Sequence, residues 1–428
     1  MKDFTWAIIL LSSVAAFIFV KWIYFKILKI ALFNKLVDNP NPRKLQRKPI
    51  PITGGIAVFF GIILALLLYN TTLSIAYGLS INMLFPLICS MGIMLYIGAI
   101  DDILSLTART RIIIEALIIL MLTYTLDMCI DSFHGMWGIY DFTWWLGVPL
   151  TLITGIGIIN AINMIDGVNG LSGGICIVSC VIFGAIFFQF GDMSNASLSF
   201  IVASSLIPFF IHNVFGQKSK MFIGDAGTMV MGVVITWFVI NILNNDTISS
   251  GYLLNTKINP VALVLAILIV PVADTLRVIT LRVMRKKNPF HPDKTHLHHK
   301  FISVGISHFI TAMTEIVIGI VVFCIWLLSL YFGAGIELQL YVVLISSIIF
   351  VWGTYVIISY HAKNNTRFYR FLRVLSIKTH LWRKDWWKAI AAKLDAPINR
   401  DSFYDKVFDM NYAEYEESDK NLEGKKQR

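Results

Sequence analysis

Residues 143–174 read TWWLGVPLTLITGIGIINAINMIDGVNGLSGG, and the fold class turns on how that stretch changes character. Residues 143–160 are an uncharged, largely apolar run, within the about 17–25 residues that a helix needs to cross a hydrocarbon core. Buried in lipid, such a backbone must satisfy its own N–H and C=O groups, which a single helix does. The run then turns polar, and Asn160, Asn163, Asp166 and Asn169 recur at every third position. If the helix continues past the lipid, this spacing makes one slowly drifting polar stripe. Gly167 and Gly170 follow, where backbone can approach a ligand closely.

The rest of the chain repeats the first half of that pattern. Of its 428 residues 57% are hydrophobic and 14% charged, against roughly 25% charged in a soluble domain. About eleven apolar runs of spanning length are expected, near 4–24, 52–69, 80–100, 112–127, 143–160, 171–190, 197–214, 227–243, 259–281, 308–332 and 338–360. The first exceeds the about 7–15 apolar residues of a secretory signal and is followed by Lys21, Lys26 and Lys29, so it is expected to stay as a span. The reading is an all-α polytopic membrane protein, with residues 1–361 as a transmembrane domain and 362–428 as a tail. Cys89, Cys129, Cys176, Cys180 and Cys324 lack CxxC spacing and read as packing residues.

Lys and Arg crowd alternate loops: 21–48, Arg109 and Arg111, Lys218 and Lys220, then Arg282 to Lys300. The positive-inside rule therefore puts the N-terminus outside and these loops in the cytoplasm. Eleven crossings put the tail inside as well, and the tail starts with Lys363, Arg367, Arg370 and Arg373. The net charge of +10 is then a topology signal plus attraction to anionic head groups, with no nucleic acid implied. In the tail, RFYRFLRVL and LWRKDWWKAI mix aromatic and basic residues at helical spacing, which suits an interfacial helix, and the polar end beyond is expected to be disordered.

The polar groups that a membrane protein has least reason to keep fall on that same inner face. Asp101 and Asp102 end the third span, the Asn163–Asp166 stripe ends the fifth, Asn213 ends the seventh, and Asp225 precedes the eighth. Intramembrane or juxtamembrane ionisable groups are costly and mark function. Phe222-Ile-Gly-Asp-Ala-Gly-Thr228 places glycines and a carboxylate at a helix start, where free N–H groups favour phosphate. Carboxylates beside phosphate repel unless a cation intervenes, and Mg²⁺ does so with one or two carboxylates plus substrate oxygens. Residues 291–300, HPDKTHLHHK, hold four of the nine histidines. With Lys294, Lys300, Arg282 and Arg285 they offer N–H donors and positive charge to an anion. A zinc site is the sharper rival for these histidines, but one short loop among cations suits phosphate better.

Five blocks in order resemble the polyprenyl-phosphate N-acetylhexosamine-1-phosphate transferases, relatives of the phospho-muramoyl-pentapeptide translocase: DNPNPRKLQRKPIPITGG (38–55), GAIDD with LTARTR (98–111), NAINMIDGVNGLSGG (160–174), MFIGDAGTMVMG (221–232) and NPFHPDKTHLHHKF (288–301). The resemblance covers roughly residues 34 to 330. It implies transfer of N-acetylhexosamine-1-phosphate, GlcNAc-1-phosphate first, from a UDP-sugar to undecaprenyl phosphate with release of UMP. That step would initiate a lipid-linked cell-surface glycan, at the cytoplasmic face of a bacterial inner membrane, in a chain expected among membrane lipids as a homodimer. Mg²⁺ is the implied cofactor, with Mn²⁺ as a substitute. Asp225 and Asp102 are then the metal ligands, and Asp101, Asp102, Asn163 and Asp166 the catalytic group. Phe222 matches an aromatic that stacks on uracil, and Asn213 a nucleoside-contacting amide. Asn169, Lys48, Arg111, His296, His298 and His299 complete the expected substrate contacts, the three histidines gripping the diphosphate.

Two positions depart from the resemblance: Asn169 stands where many relatives have an aspartate, and Gln46 where a histidine is common. A transporter or lipid flippase is the rival from another class, and such proteins hold ionisable residues near the bilayer midplane. Here Glu115 alone fits that pattern. The D-G-x-x-A-R type motif of CDP-alcohol phosphotransferases is absent.

Overall fold

The computed structural model describes residues 2–39, 49–78, 84–286, 295–378, 380–401 and 403–404. Lys48, Gln46, Lys294 and the chain end beyond 404 lie outside the described residues. The protein is an all-α multi-pass membrane protein. Its first eight helices are α1 (Lys2–Phe33), α2 (Gly54–Tyr77), α3 (Phe85–Leu104), α4 (Ala108–Leu126), α5 (Trp144–Met164), α6 (Leu171–Gln189), α7 (Met193–Phe215) and α8 (Gly224–Leu243). After the short α9 (Asp246–Ser249) come α10 (Pro260–Ile267), α11 (Ile269–Met284), α12 (Leu297–Ser303), α13 (His308–Tyr331), α14 (Ile336–Ser347) and α15 (Thr354–Lys363). The tail adds α16 (Arg367–Lys378) and α17 (Asp385–Asn399). Two two-residue hairpins complete the described elements, β1 (Val37–Asp38) with β2 (Ile50–Pro51) and β3 (Tyr252–Leu253) with β4 (Thr256–Lys257).

Among the described residues nine helices are long and apolar enough to cross a membrane, or ten if the bent pair α10–α11 is one span. The eleventh expected run is present as α4, but Arg109, Arg111 and Glu115 dilute its apolar character. Between α10 and α11 the chain bends by 84°. Pro271 explains the break, because it has no N–H to give the carbonyl of Ile267, four residues earlier. The last span runs from α14 to α15 through a π-helical stretch, Ile348–Gly353.

The centre of the bundle is α8, buried along its whole apolar length. Two glycines let its neighbours reach its first turn. A Cβ on Gly98 of α3 would collide with the backbone of Asp225 and Ala226, and one on Gly55 of α2 with the backbone of Gly227. The backbones interlock there: the N–H groups of Gly54 and Gly55 donate to the carbonyls of Phe222 and Ile223, each at 2.9 Å. Outward-facing side chains such as Trp145, Ile75 and Phe332 stay exposed, as a surface solvated by lipid tails allows. All five cysteines are free.

Candidate active site

A cleft of about 360 Å³ opens where the ends of α3, α5 and α7 meet the start of α8. Asp101, Asp102, Asp166, Asn169, Asn213, Phe222, Asp225 and His299 all line it, so helix ends far apart in sequence converge at one place. Their local geometry divides them into groups with different work.

Asp101 is buried and holds the turn after α3. Its Oδ1 accepts the N–H of Leu106 at 2.6 Å, and its Oδ2 takes Nη1 of Arg111 at 2.9 Å. Arg111 is thereby fixed with the same Nη1 3.8 Å from Oδ2 of Asp225. Asp102 caps α8: its Oδ1 accepts the N–H of Asp225 at 2.9 Å and its Oδ2 the N–H of Ala226 at 3.3 Å. The expectation that these N–H groups serve a phosphate is corrected here, because a carboxylate of the protein already occupies them. Gly224, at φ +72°, makes the approach feasible, since a Cβ there would meet Asp102 Oδ2 at 2.6 Å.

Asp225 keeps one oxygen toward the cleft. Its Oδ1 accepts from Nδ2 of Asn163 at 2.8 Å, and the same Nδ2 lies 2.9 Å from Oγ1 of Thr228. Asp166 stands in the loop after α5, where its Oδ1 accepts the hydroxyl of Ser172 at 2.6 Å. The protein crowding around it pushes its carboxyl up to about 7, with the charge of Asp225 adding and the Ser172 bond opposing. Asn163 itself is set back behind Asp225 and is absent from the cleft lining.

Asn213 ties two walls together: its Oδ1 accepts the N–H of Gly170 at 2.7 Å and its Nδ2 donates to the carbonyl of Met221 at 2.7 Å. Its amide is therefore already committed at both ends to the backbone. Phe222 lines the cleft beside it, held by its N–H on the carbonyl of Pro51 at 2.7 Å.

The histidines separate most sharply from expectation. His299 lines the cleft, whereas His296 and His298 are buried, with 4% and 1% of their surface exposed. Nδ1 of His296 pairs with Oδ2 of Asp274 at 2.8 Å. Asp274 also takes Nη2 of Arg277 at 2.7 Å and the N–H of Leu297 at 3.2 Å. The ring of His298 lies on Gly167, whose Cβ would come within 3.0 Å of Nε2. Burial, then the neighbouring His299 and His296, push the His298 imidazole well below its usual range, so it stays neutral. Two of the three imidazoles thus build the segment that presents the third.

Asp274 and Arg277 were not singled out for this role by the sequence; the nearby i,i+3 pairing was the available signal. Asp38, in β1, also lines the cleft and opens the first of the five sequence blocks. Glu115 is buried and its Oε2 accepts from Nδ2 of Asn160 at 2.6 Å, which accounts for a carboxylate in that helix without an ion path. Among the described residues no three His, Cys, Asp or Glu side chains form a ready metal cage. Asp166 and Asp225, which do line the cleft, are hard oxygen donors of the kind that Mg²⁺ would take one or two at a time beside substrate phosphate.

This is a site of carboxylates and amides at the converging ends of membrane helices. A family profile described as glycosyl transferase family 4 matches residues 84–243. The undecaprenyl-phosphate alpha-N-acetylglucosaminyl 1-phosphate transferase of Yersinia pestis is 30% identical over 282 residues, which is 65% of this chain and 73% of the relative. The protein of the same name from Salmonella typhi is 29% identical over 301 residues, 69% of this chain and 76% of its own. A probable undecaprenyl-phosphate N-acetylglucosaminyl 1-phosphate transferase of Bacillus subtilis is 28% identical over 297 residues, 68% of this chain and 77% of its own. The chain belongs to glycosyl transferase family 4.

Proposed function

We propose that this protein is a polyprenyl-phosphate sugar-1-phosphate transferase. It moves N-acetylhexosamine-1-phosphate, GlcNAc-1-phosphate first, from a UDP-sugar to undecaprenyl phosphate and so starts a lipid-linked glycan on the cytoplasmic face. The observation that carries this reading is the gathering of Asp102, Asp166 and Asp225 around one cleft with Phe222 and His299.

In the reaction an oxygen of the lipid phosphate attacks the sugar-bearing phosphorus of the donor. A new P–O bond forms, the bond to the UMP oxygen breaks, and UMP departs with the electron pair. Both reactants are anions, so catalysis consists mainly of positioning and charge neutralisation. Mg²⁺ would be held by Asp225, with Asp166 across the cleft, and would supply that neutralisation between carboxylate and phosphate. Asp102 is the expected ligand that fits less well, since each of its oxygens already accepts an N–H of α8. Its work is to fix the turn that carries Asp225. Asp101 does the same for Arg111, holding its guanidinium 3.8 Å from Asp225 as a fixed cation behind the metal-binding carboxylate. His299 donates to the diphosphate from the segment that Asp274 anchors. The second pKa of a phosphate monoester lies near 6, so the attacking lipid phosphate needs no strong base at neutral pH.

Purified protein, Mg²⁺, undecaprenyl phosphate and a panel of UDP-sugars, scored for UMP release, test the reading. Release with a UDP-N-acetylhexosamine supports it, and silence with every sugar sinks it.

A further inference from the structure

Residues 216–223 join α7 to α8 without helix or strand, and the cleft depends on this strap. Asn213 stands just before it, Phe222 lies on it, and Gly224 and Asp225 follow it into the cleft. An irregular strap has no hydrogen-bond ladder of its own, so its buried N–H groups must find partners elsewhere. Three of them find the tail. Oδ2 of Asp395, on α17, accepts the N–H groups of Gln217 and Lys218 at 3.2 and 3.0 Å. Oδ1 accepts the N–H of Ser219 at 3.0 Å and its hydroxyl at 2.6 Å. Successive N–H groups that converge in this way make the concavity by which backbone holds an anion. Here the acceptor is a side chain 176 residues away in the chain.

Ser219 is buried and is tied on two more sides. Its hydroxyl lies 3.0 Å from Nδ1 of His212, and its carbonyl accepts the hydroxyl of Tyr24 at 2.8 Å. The rings of Tyr24 and His212 stack with centroids 4.5 Å apart. Only Lys220 and Met221 separate Ser219 from Phe222, and at about 3.3–3.6 Å per residue so short a link has little slack. The grip itself is fixed to the bundle. Trp387, earlier on α17, is buried with its ring 4.5 Å from that of Phe215 on α7 and 5.3 Å from that of Phe309 on α13. Beyond α17, Lys29 pairs with Asp401 at 3.0 Å and the Tyr404 hydroxyl donates to the carbonyl of Phe25 at 2.8 Å.

We propose that Asp395 is a positioning residue for the transfer reaction: it organises the strap, and through the strap it sets where Phe222 and Asp225 stand. Asp395 is absent from the cleft lining, so its influence on the site runs through the backbone that it holds. A misplacement of about 1 Å in a reacting group can cost about a hundredfold in rate. A loosened strap therefore costs turnover even in a protein that stays folded. The tail lies beyond residues 84–243, which the family profile matches, and the proposal makes it part of the catalytic unit instead of a surface anchor alone. The proposal rests on the transferase reading of the cleft.

The test compares Asp395→Ala, Asp395→Asn and Lys388→Ala in the full-length, detergent-solubilised protein, well below each variant's melting temperature; Lys388 is an exposed residue of the same helix. Asp395→Ala lowers kcat for UMP release at least about tenfold, Asp395→Asn, which keeps one acceptor oxygen, lowers it less, and Lys388→Ala leaves it unchanged. A residue that only stabilised the fold would shift melting and leave the kcat of folded enzyme alone. 4-Fluorophenylalanine in place of Phe222 reports the strap directly: its ¹⁹F resonance moves in Asp395→Asn and stays in Lys388→Ala. Should Asp395→Ala fail to fold, Asp395→Asn and Ser219→Ala, which removes the hydroxyl bond to Asp395, carry the test. Wild-type kcat in every folded Asp395 and Ser219 variant, or a ¹⁹F resonance that Asp395→Asn leaves in place, overturns the proposal. A wild type that releases no UMP from any UDP-sugar sinks the transfer reading, and the ¹⁹F comparison then still decides whether Asp395 places Phe222.

Discussion

Asp102 and Asp225 meet at a single 2.9 Å hydrogen bond, yet their side chains answer to different demands. Asp102 closes the open N–H groups of a buried helix, and Asp225 keeps an oxygen on the cleft. Asp225→Asn still accepts from Asn163, so it should melt like the wild type while UMP release falls by at least about a hundredfold, the scale of losing one key charge-stabilising group. Asp102→Asn turns an amide N–H₂ toward an N–H donor and should cost about 1–3 kcal/mol of stability as well as turnover. Paired thermal melts and UMP assays separate the two; equal melting temperatures would show that Asp102 is no cap. Lys220 gives a pH signature. Desolvation lowers its ammonium to about 8, with Asp395 opposing, and Asp395, His308, His380 and Arg383 are charged or titratable groups near it. Between about 8 and the unfolded value of 10.5 the unfolded chain holds a proton that the folded one lacks, so this group's contribution to stability should improve with pH, which thermal melts across that range read.

At the scale of elements, the site exists because three helices approach one helix start. Gly98 permits α3 to touch the backbone of α8, whereas a Cβ on Gly92, six residues earlier on the same helix, would meet nothing within 4 Å. Gly98→Val should therefore abolish UMP release, whereas Gly92→Val should retain it. Equal activity of the two variants would show that the α3–α8 contact does not set the site. The spans themselves were legible, since apolar length alone demands a helix in lipid. The 84° break after Ile267 was not placed by that logic, although Pro271 was visible. The docking of α17 was also hidden, because a helix with mixed aromatic and basic residues suits a membrane surface as well as a protein groove. Only the position of Phe215, Phe309 and the 217–219 N–H groups decides between them.

For the whole molecule, the charge pattern calls for an outside N-terminus with the cleft and tail inside. Single-cysteine labelling in a background without the five native cysteines checks this. Gln217→Cys and Ser303→Cys should react only from the cytoplasm, and Thr247→Cys only from outside. Reaction of Gln217→Cys and Ser303→Cys from opposite sides would dismantle the cleft as described. The sequence by itself determined that this chain is a bundle of apolar helices with its carboxylates, amides and histidines at span ends, because hydrophobic length and residue spacing are local properties. The tertiary structure alone decided which polar atoms are spent on the protein itself, as those of Asp102 and Asn213 are on backbone groups and that of His296 on Asp274. That allocation depends on what another helix brings within about 3 Å, the reach of a hydrogen bond, and no local pattern encodes such a distance.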